Sequence, residues 1–316
     1  MTTRILAGLV LASLSLAQAP AGPPEDHGYG PVDPILLPDL TLTLDNGQPA
    51  RLRDLTRGRR TAVQFIFTHC PTACPLLGSL FAKVDKAMEG QNAALLSITV
   101  DPERDTPERL AAWRRQFSQS PHWVAARLEK PALTALLKVF GQKDGPPSGH
   151  ALQVFYVDAE SRYVARTTDL PRAAGIARAL SGNYEMAGTG TRAVYEKASA
   201  PTDASGEATY YQAQGVVARV NGETLAAAAA RCANCHGVQG EGRREGAVVA
   251  SPLHRAALTE AQPRRGGPPS RYSREAFCQT LSGGVDPAGI QLDSAMPRYS
   301  LTPSSCAALW DFLNSR

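Results

Sequence analysis

The stretch Phe65-Ile-Phe-Thr-His-Cys-Pro-Thr-Ala-Cys-Pro75 places Cys70 and Cys74 at the end of an apolar run. The β-branched and aromatic residues 61–67 predict a buried strand, and residues 76–88 have apolar side chains at helical spacing. The two cysteines therefore lie where a strand gives way to a helix. Backbone N–H groups and the helix dipole at such a junction favour thiolates, and a spacing of four residues brings both sulfurs to one side of a helical turn.

Two thiolates placed in this way can form a disulfide or bind a soft ion such as Cu(I). A purely structural disulfide, or a pair of buried thiols, is the simpler alternative. Pro71 and Pro75 each follow one of the cysteines and favour a shaped, exposed turn over a core position. The pair is thus a candidate redox or metal site.

Predicted strands and helices alternate from residue 34 to residue 182, which indicates an α/β domain with a mixed sheet and helices on both faces. Residues 41–52 predict a β-hairpin with Asn-Gly at its turn. Residues 22–37 are rich in Pro and Gly and predict an irregular arm. Asp105 is expected to cap the helix that follows it.

The motif Cys70-x-x-x-Cys74-Pro75 resembles that of the Sco/SenC family, which has a thioredoxin-like fold. Residues 97–107, Ser-Ile-Thr-Val-Asp-Pro-Glu-Arg-Asp-Thr-Pro, are similar to the segment that follows the next strand in that family. Asp101 and Asp105 in this segment resemble family residues near the site, although helix capping explains Asp105 equally well. The resemblance covers about residues 36–182. It implies a copper-binding domain in which the cysteine pair is the redox dithiol and supplies two metal ligands.

The same resemblance implies that His150 is the third copper ligand, since it precedes the strand predicted at 151–157. An imidazole with two thiolates suits Cu(I) and can accept Cu(II). From composition alone, a histidine at the start of a strand is more often a solvated side chain than a ligand. His69 lies beside Cys70 and is expected to support the site at most.

A second motif, Cys-Ala-Asn-Cys-His at residues 232–236, follows an alanine-rich helix predicted from Gly222. The pattern C-x-x-C-H is typical of covalent haem c attachment, in which Cys232 and Cys235 form thioethers and His236 is the proximal iron ligand. A redox C-x-x-C that happens to precede a histidine is the alternative.

Residues 222–316 resemble class I cytochrome c, a small all-α domain with one covalently bound haem. This resemblance implies that Met296, in Ser-Ala-Met-Pro at 294–297, is the second axial ligand. A methionine that fills the core is the alternative. Ligation by His and Met suits electron transfer rather than oxygen activation.

Cys278 and Cys306 remain after these assignments, and each lies on a predicted helix, at 274–281 and 303–313. Small cytochromes do not generally need them. Because export favours oxidation, a structural disulfide between the two helices is expected, with a labile redox pair as the alternative.

Residues 1–21 have the basic start, apolar run and small-residue cleavage site of a secretory signal. The expected location is therefore the periplasm, either as a soluble protein or, if the signal is not cut, as an anchored one. Residues 183–221 lack a sustained period and are expected to form an interdomain linker.

The formal net charge of +4 is weak for a nucleic-acid-binding protein, and no basic and aromatic pattern supports that class. Residues 240–274 carry seven arginines and three glutamates, a local excess of four positive charges. Such a run is usually a solvated loop, although near a haem edge it could steer docking to an acidic partner.

Together the resemblances imply a periplasmic copper metallochaperone or redox protein for assembly of the copper centre of a respiratory cytochrome c oxidase. Its haem domain would supply or accept electrons. The implied partners are the copper-bearing oxidase subunit or its assembly factors, and periplasmic electron carriers. The alternative is a thiol-disulfide oxidoreductase that has a haem electron partner and no physiological copper.

Overall fold

Residues 60–66 form the central strand of a mixed sheet in the computed structural model of the chain. The structure describes residues 29–147, 153–167, 170–182, 200–245 and 248–316. The predicted signal segment 1–21 and the predicted ligand His150 lie outside the described residues.

The N-terminal half contains eight strands and five helices among its described residues. The strands are β1 (Tyr29–Leu36), β2 (Thr41–Leu44), β3 (Pro49–Arg51), β4 (Arg60–Ile66), β5 (Ala93–Thr99), β6 (Trp123–Arg127), β7 (Val154–Val157) and β8 (Arg162–Thr167). The helices are α1 (Leu52–Thr56), α2 (Ala73–Ala87), α3 (Pro107–Arg115), α4 (Lys130–Val139) and α5 (Ala173–Ser181).

The eight strands form one sheet in the order β1-β8-β7-β4-β5-β6-β2-β3. Strands β4, β5 and β6 run parallel, and the remaining pairs are antiparallel. The predicted mixed sheet is therefore confirmed. Strand β4 is buried along nearly its whole length, as expected for a run of apolar residues with strands on both sides.

Two strands of this sheet, β1 and β8, are not expected from the sequence. Residues 29–36 are expected in an irregular arm, but they form β1, which pairs with β8. Pro31 and Pro34 are tolerated because β1 is an edge strand and its register shifts between Pro31 and Ile35. The predicted hairpin is confirmed as β2 and β3, with Gly47 at positive φ in its turn.

The C-terminal half combines short helices with short strands. The helices are α6 (Gly206–Gln212), α7 (Ala227–Ala230), α8 (Cys232–His236), α9 (Arg255–Thr259), α10 (Arg274–Gly283) and α11 (Pro303–Asn314). The strands are β9 (Val217–Val220), β10 (Glu223–Thr224), β11 (Arg243–Glu245), β12 (Val248–Ala250) and β13 (Arg298–Ser300). The predicted all-α unit thus also holds a small antiparallel sheet, β10-β9-β13, and the hairpin β11-β12.

Residues 200–221, which the sequence analysis places in the linker, are packed into this C-terminal unit. Helix α6 lies across α11. Gly206 permits this close crossing, because a Cβ there would lie 2.2 Å from the carbonyl oxygen of Ala308. A helix of seven residues is too short to show a clear period, so no local pattern predicts it.

Candidate functional site

The first candidate site lies at the edge of the sheet where the parallel strands β4 and β5 end. Strand β4 ends at Ile66, the chain passes through Cys70, and α2 begins at Ala73. The ends of the two strands stay in register, since the amide of Val100 donates to the carbonyl of Ile66 at 2.8 Å. In open α/β sheets this edge is where ligands usually bind.

Both cysteines of this site are buried thiols at the start of α2. Cys70 is 4% exposed and Cys74 is 0% exposed. The backbone amide of Cys74 donates to Cys70 Sγ at 3.0 Å. An amide at a helix N-terminus that points at sulfur stabilises negative charge there. The two sulfurs are grouped at the start of the helix as predicted, but the expectation of an exposed turn is wrong, because both cysteines are buried.

A buried carboxylate holds the loop that leads to Cys70. Asp105 is fully buried and accepts hydrogen bonds from the amide of Thr68 at 2.9 Å, from its hydroxyl at 2.6 Å and from the hydroxyl of Thr99 at 2.5 Å. The expectation that Asp105 caps α3 is therefore wrong. Thr106 is the N-cap and accepts from the amide of Arg109, so Asp105 is directed inward instead.

His69 contacts the carboxylates on this edge of the sheet. Its Nε2 lies 3.3 Å from Asp101 Oδ2, and its Nδ1 lies 3.8 Å from Asp105 Oδ1. The ring also packs edge-on against Phe67, with the ring centroids 4.9 Å apart. These contacts give His69 a supporting position, in line with the prediction.

The entry to β7 reaches the same edge of the sheet. Strand β7 runs antiparallel to β4, and Val154 pairs with Gln64 near the end of β4. Strand β7 therefore begins at the edge of the sheet that carries the cysteine loop. Within the described ranges, no three His, Cys, Asp or Glu side chains come together as a metal site. His150 falls outside those ranges.

The second candidate site is a cleft in the C-terminal unit. It is lined by Cys232, Cys235, His236 and Met296, all four residues predicted to hold haem, and by Arg264 and Arg265. Burial raises the pKa of the Cys232 thiol to about 12, with a smaller contribution from the nearby Cys235.

The orientation of His236 tests whether this cleft fits haem. Its Nδ1–H donates to the carbonyl of Ser251 at 2.7 Å, which fixes the tautomer and leaves the lone pair on Nε2. Nε2 is buried and has no hydrogen-bond partner among the described residues. Burial also lowers the pKa of His236 and so favours the neutral ring, although the bond to Ser251 opposes this. A neutral imidazole with an unshared nitrogen is suited to bind iron.

The cleft also fits the rest of the cofactor. Two cysteines stand at the spacing for thioether attachment, and the sulfur of a methionine offers a soft ligand. Arg264 and Arg265 bring positive charge, which suits a cofactor that carries carboxylates. The carbonyl of Ser251 is a functional group that sequence analysis could not find, because a backbone acceptor leaves no signal in residue type.

Arg298 is a further residue that the sequence analysis missed. Its guanidinium donates to the carbonyl of Met296 at 2.5 Å and to that of Leu292 at 3.3 Å. It lies over Gly284 at the end of α10, where a Cβ would come within 2.0 Å of Arg298 Nε. Arg298 therefore ties the loop that carries Met296 to α10.

Because Met296 is predicted to bind the haem iron, we expect Arg298→Ala to loosen that bond in the haem-loaded protein. Losing two hydrogen bonds from a charged donor costs about 1–2 kcal/mol, a factor of roughly 5–30 in the equilibrium for ligand displacement. The measurement is titration of the ferric protein with imidazole, following the methionine-to-iron charge-transfer band. Arg274→Ala, which removes only an exposed ion pair with Asp311, is the matched control. Equal imidazole affinity in both variants would show that Arg298 does not hold the loop that carries Met296.

Cys278 and Cys306 are joined by a disulfide in the structure, with their Cα atoms 6.0 Å apart. The bond connects α10 to α11. It closes a loop with a sequence separation of 28 residues. A link of this kind restricts the unfolded chain and so stabilises the helices on which the second site is built.

Family models match both halves of the chain. Residues 33–182 match the model described as SCO1/SenC, and residues 220–316 match the model described as Cytochrome c. The chain joins a SCO1/SenC domain to a cytochrome c domain. The predicted arrangement, a thioredoxin-like α/β domain followed by a cytochrome c unit, is thereby confirmed.

The relatives of the SCO1/SenC domain include the mouse (Mus musculus) Protein SCO1 homolog, mitochondrial. It is 36% identical over 95 residues, which cover 27% of this chain and 31% of that protein. The match thus spans about a third of the length of this curated relative.

Solved structures of the same family align with the SCO1/SenC domain. Bradyrhizobium japonicum ScoI, solved with copper bound, is 23% identical and has a TM-score of 0.41, covering 47% of this chain and 99% of that chain. BsSco, described as a member of the Sco family of cytochrome c oxidase assembly proteins, is 19% identical with a TM-score of 0.40, covering 50% of this chain and 99% of that chain.

Among the described residues, no helix combines the length and the apolar character that crossing a bilayer requires.

Proposed function

We propose that this chain is a periplasmic copper-handling redox protein that serves assembly of the copper centre of a cytochrome c oxidase. The observation that carries the proposal is the amide of Cys74 donating to Cys70 Sγ at the start of α2. It places two buried sulfurs where a thiolate is stabilised and where a soft ion is preferred over a hard one. Copper is the cargo of this site.

His150 is the third ligand in this proposal. The direction of β7 supports it, because this strand begins at the edge of the sheet that carries the cysteine loop. Two thiolates and one imidazole form a donor set that holds Cu(I) and accepts Cu(II). The partners would be the copper-bearing oxidase subunit or its assembly factors.

The cytochrome c domain supplies a one-electron couple to this site. Cys232 and Cys235 would hold haem c covalently, and His236 and Met296 would bind its iron. One electron leaving a ferrous haem and reaching Cu(II) gives a ferric haem and Cu(I), with no proton needed for balance. Disulfide reduction needs two electrons and two protons, so a single haem matches the copper couple better. Periplasmic electron carriers would exchange electrons with the haem.

The test of this proposal is stopped-flow mixing of the reduced, haem-loaded chain with one equivalent of Cu(II) under anaerobic conditions. We expect the haem to be oxidised and Cu(I) to be retained at one ion per chain. In His150→Ala, both the retained copper and the haem oxidation should fall at least about tenfold. His122→Ala, which changes an exposed histidine elsewhere in the same domain, is the matched control and should behave as wild type.

A second candidate function is thiol-disulfide exchange without physiological copper. The closeness of Cys70 to Cys74, whose amide donates to the Cys70 sulfur, favours it. In that case His150→Ala should leave reduction of a model disulfide largely intact, and the wild-type chain should retain no stoichiometric copper after titration.

A further inference from the structure

The two domains contact each other through α2, the helix that begins at the cysteine pair. The amide of Ala226 donates to Ser79 Oγ at 2.8 Å. Lys83 Nζ lies 2.7 Å from Glu223 Oε2, with side-chain exposures of 29% and 17%. Ser79 and Lys83 stand four residues apart, so they share one face of α2. We name these two contacts the latch.

Residues 221–230 of the cytochrome c domain make one further contact with the SCO1/SenC domain and include three buried apolar side chains. Asn221 Nδ2 donates to the carbonyl of the buried Leu170 at 3.2 Å. Leu225, Ala229 and Ala230 are buried and belong to one apolar core with the residues of the SCO1/SenC domain. These polar contacts, together with the burial of the apolar side chains, fix the orientation of residues 221–230 against the SCO1/SenC domain.

The latch lies between the two redox sites along the chain. Ser79 is five residues after Cys74 in α2, which is about 7.5 Å along the helix axis. Ala226 is the N-cap of α7, and the first haem cysteine, Cys232, follows six residues later. The Ser79–Ala226 hydrogen bond therefore connects a backbone segment that ends at a copper sulfur to one that ends at a haem sulfur.

We propose that the latch docks the haem-bearing segment onto α2 and is the route by which an electron passes between the haem and the cysteine site. This inference rests on the proposed function, in which a ferrous haem and Cu(II) become a ferric haem and Cu(I). Electronic coupling falls steeply with distance and falls less across bonded contacts than across an open gap. A docked contact at Ser79 thus gives a faster transfer than a domain that swings on its linker.

The latch variant is Ser79→Val with Lys83→Glu, which removes the acceptor for Ala226 and places like charges at the Lys83–Glu223 position. The charge-swapped variant, Lys83→Glu with Glu223→Lys, restores the ion pair. Lys138→Glu makes the same change of charge on exposed α4 and serves as the matched control. Each haem-loaded full-length protein is examined by amide hydrogen exchange at Ala226 and by the rate of intramolecular haem oxidation after Cu(II) loading.

In the latch variant we expect exchange at Ala226 to accelerate and electron transfer to slow by at least about tenfold. The charge-swapped and control variants should stay within about twofold of wild type. Faster exchange with an unchanged transfer rate would overturn the latch as the electron route while leaving the proposed function standing. Unchanged exchange in the latch variant would overturn it too, because the latch would not be what docks the domains. No transfer in the wild-type chain would instead defeat the proposed function, whatever the exchange shows.

Discussion

Cys70→Ser and Cys74→Ser should each abolish stoichiometric copper retention, weakening the binding of Cu(I) by more than about a hundredfold. Serine offers a hard, protonated oxygen in place of a soft thiolate, and Cu(I) prefers sulfur. Both side chains are buried at the start of α2, so no solvent ligand can readily replace the lost sulfur. Cys70→Ser also removes the sulfur to which the amide of Cys74 donates.

The measurement is anaerobic titration of the haem-loaded protein with Cu(I), followed by dialysis against a competing chelator and metal analysis. The haem spectrum should be the same in all variants, because the second site lies in the other domain. Met88→Leu is the matched control: it removes a buried sulfur from the far end of α2 at nearly constant volume. Wild-type copper retention in either serine variant would show that the metal binds elsewhere.

The positions of both sites could be predicted from sequence because each depends on a local motif. The β-branched run before Cys70 and the helical spacing after it fix a strand-to-helix junction. Cys232, Cys235 and His236 lie within five residues, so short-range geometry alone brings them to one cleft. For the cysteines and the histidine of these motifs, residue type and spacing are enough to indicate metal or haem binding.

Several features that sequence analysis missed or misread depend on contacts that are distant along the chain. Asp105 looks like a helix cap because it stands two residues before Pro107, yet it turns inward to Thr68, 37 residues earlier. Helix α6 is too short to show a period and is defined by its packing on α11. The Ser79–Ala226 contact joins residues 147 positions apart. Such pairings follow from tertiary packing, which a local pattern does not encode.

Asp105→Ala should destabilise the SCO1/SenC domain by about 3 kcal/mol, a large part of the stability of an ordinary domain. The substitution leaves the amide and hydroxyl of Thr68 and the hydroxyl of Thr99 without their shared acceptor in a buried place. The measurement is urea unfolding followed by the fluorescence of Trp113 and Trp123, which are both buried in this domain. Asp39→Ala removes only an exposed ion pair with an arginine, so it should cost less than about 1 kcal/mol.

Asp105→Ala also tests whether Asp105 positions the copper ligands, apart from its effect on the stability of the domain. Asp105 holds Thr68, two residues before Cys70, so removing it frees the loop that positions one ligand while leaving every proposed ligand in the chain. Under conditions in which the Asp105→Ala variant remains folded, we therefore expect copper affinity to fall by about 10- to 100-fold, as for other residues that orient metal ligands. A variant that is destabilised but binds copper as wild type would show that α2 alone positions the two sulfurs. In that case the N-terminus of α2, and not the buried carboxylate of Asp105, would preorganise the copper site.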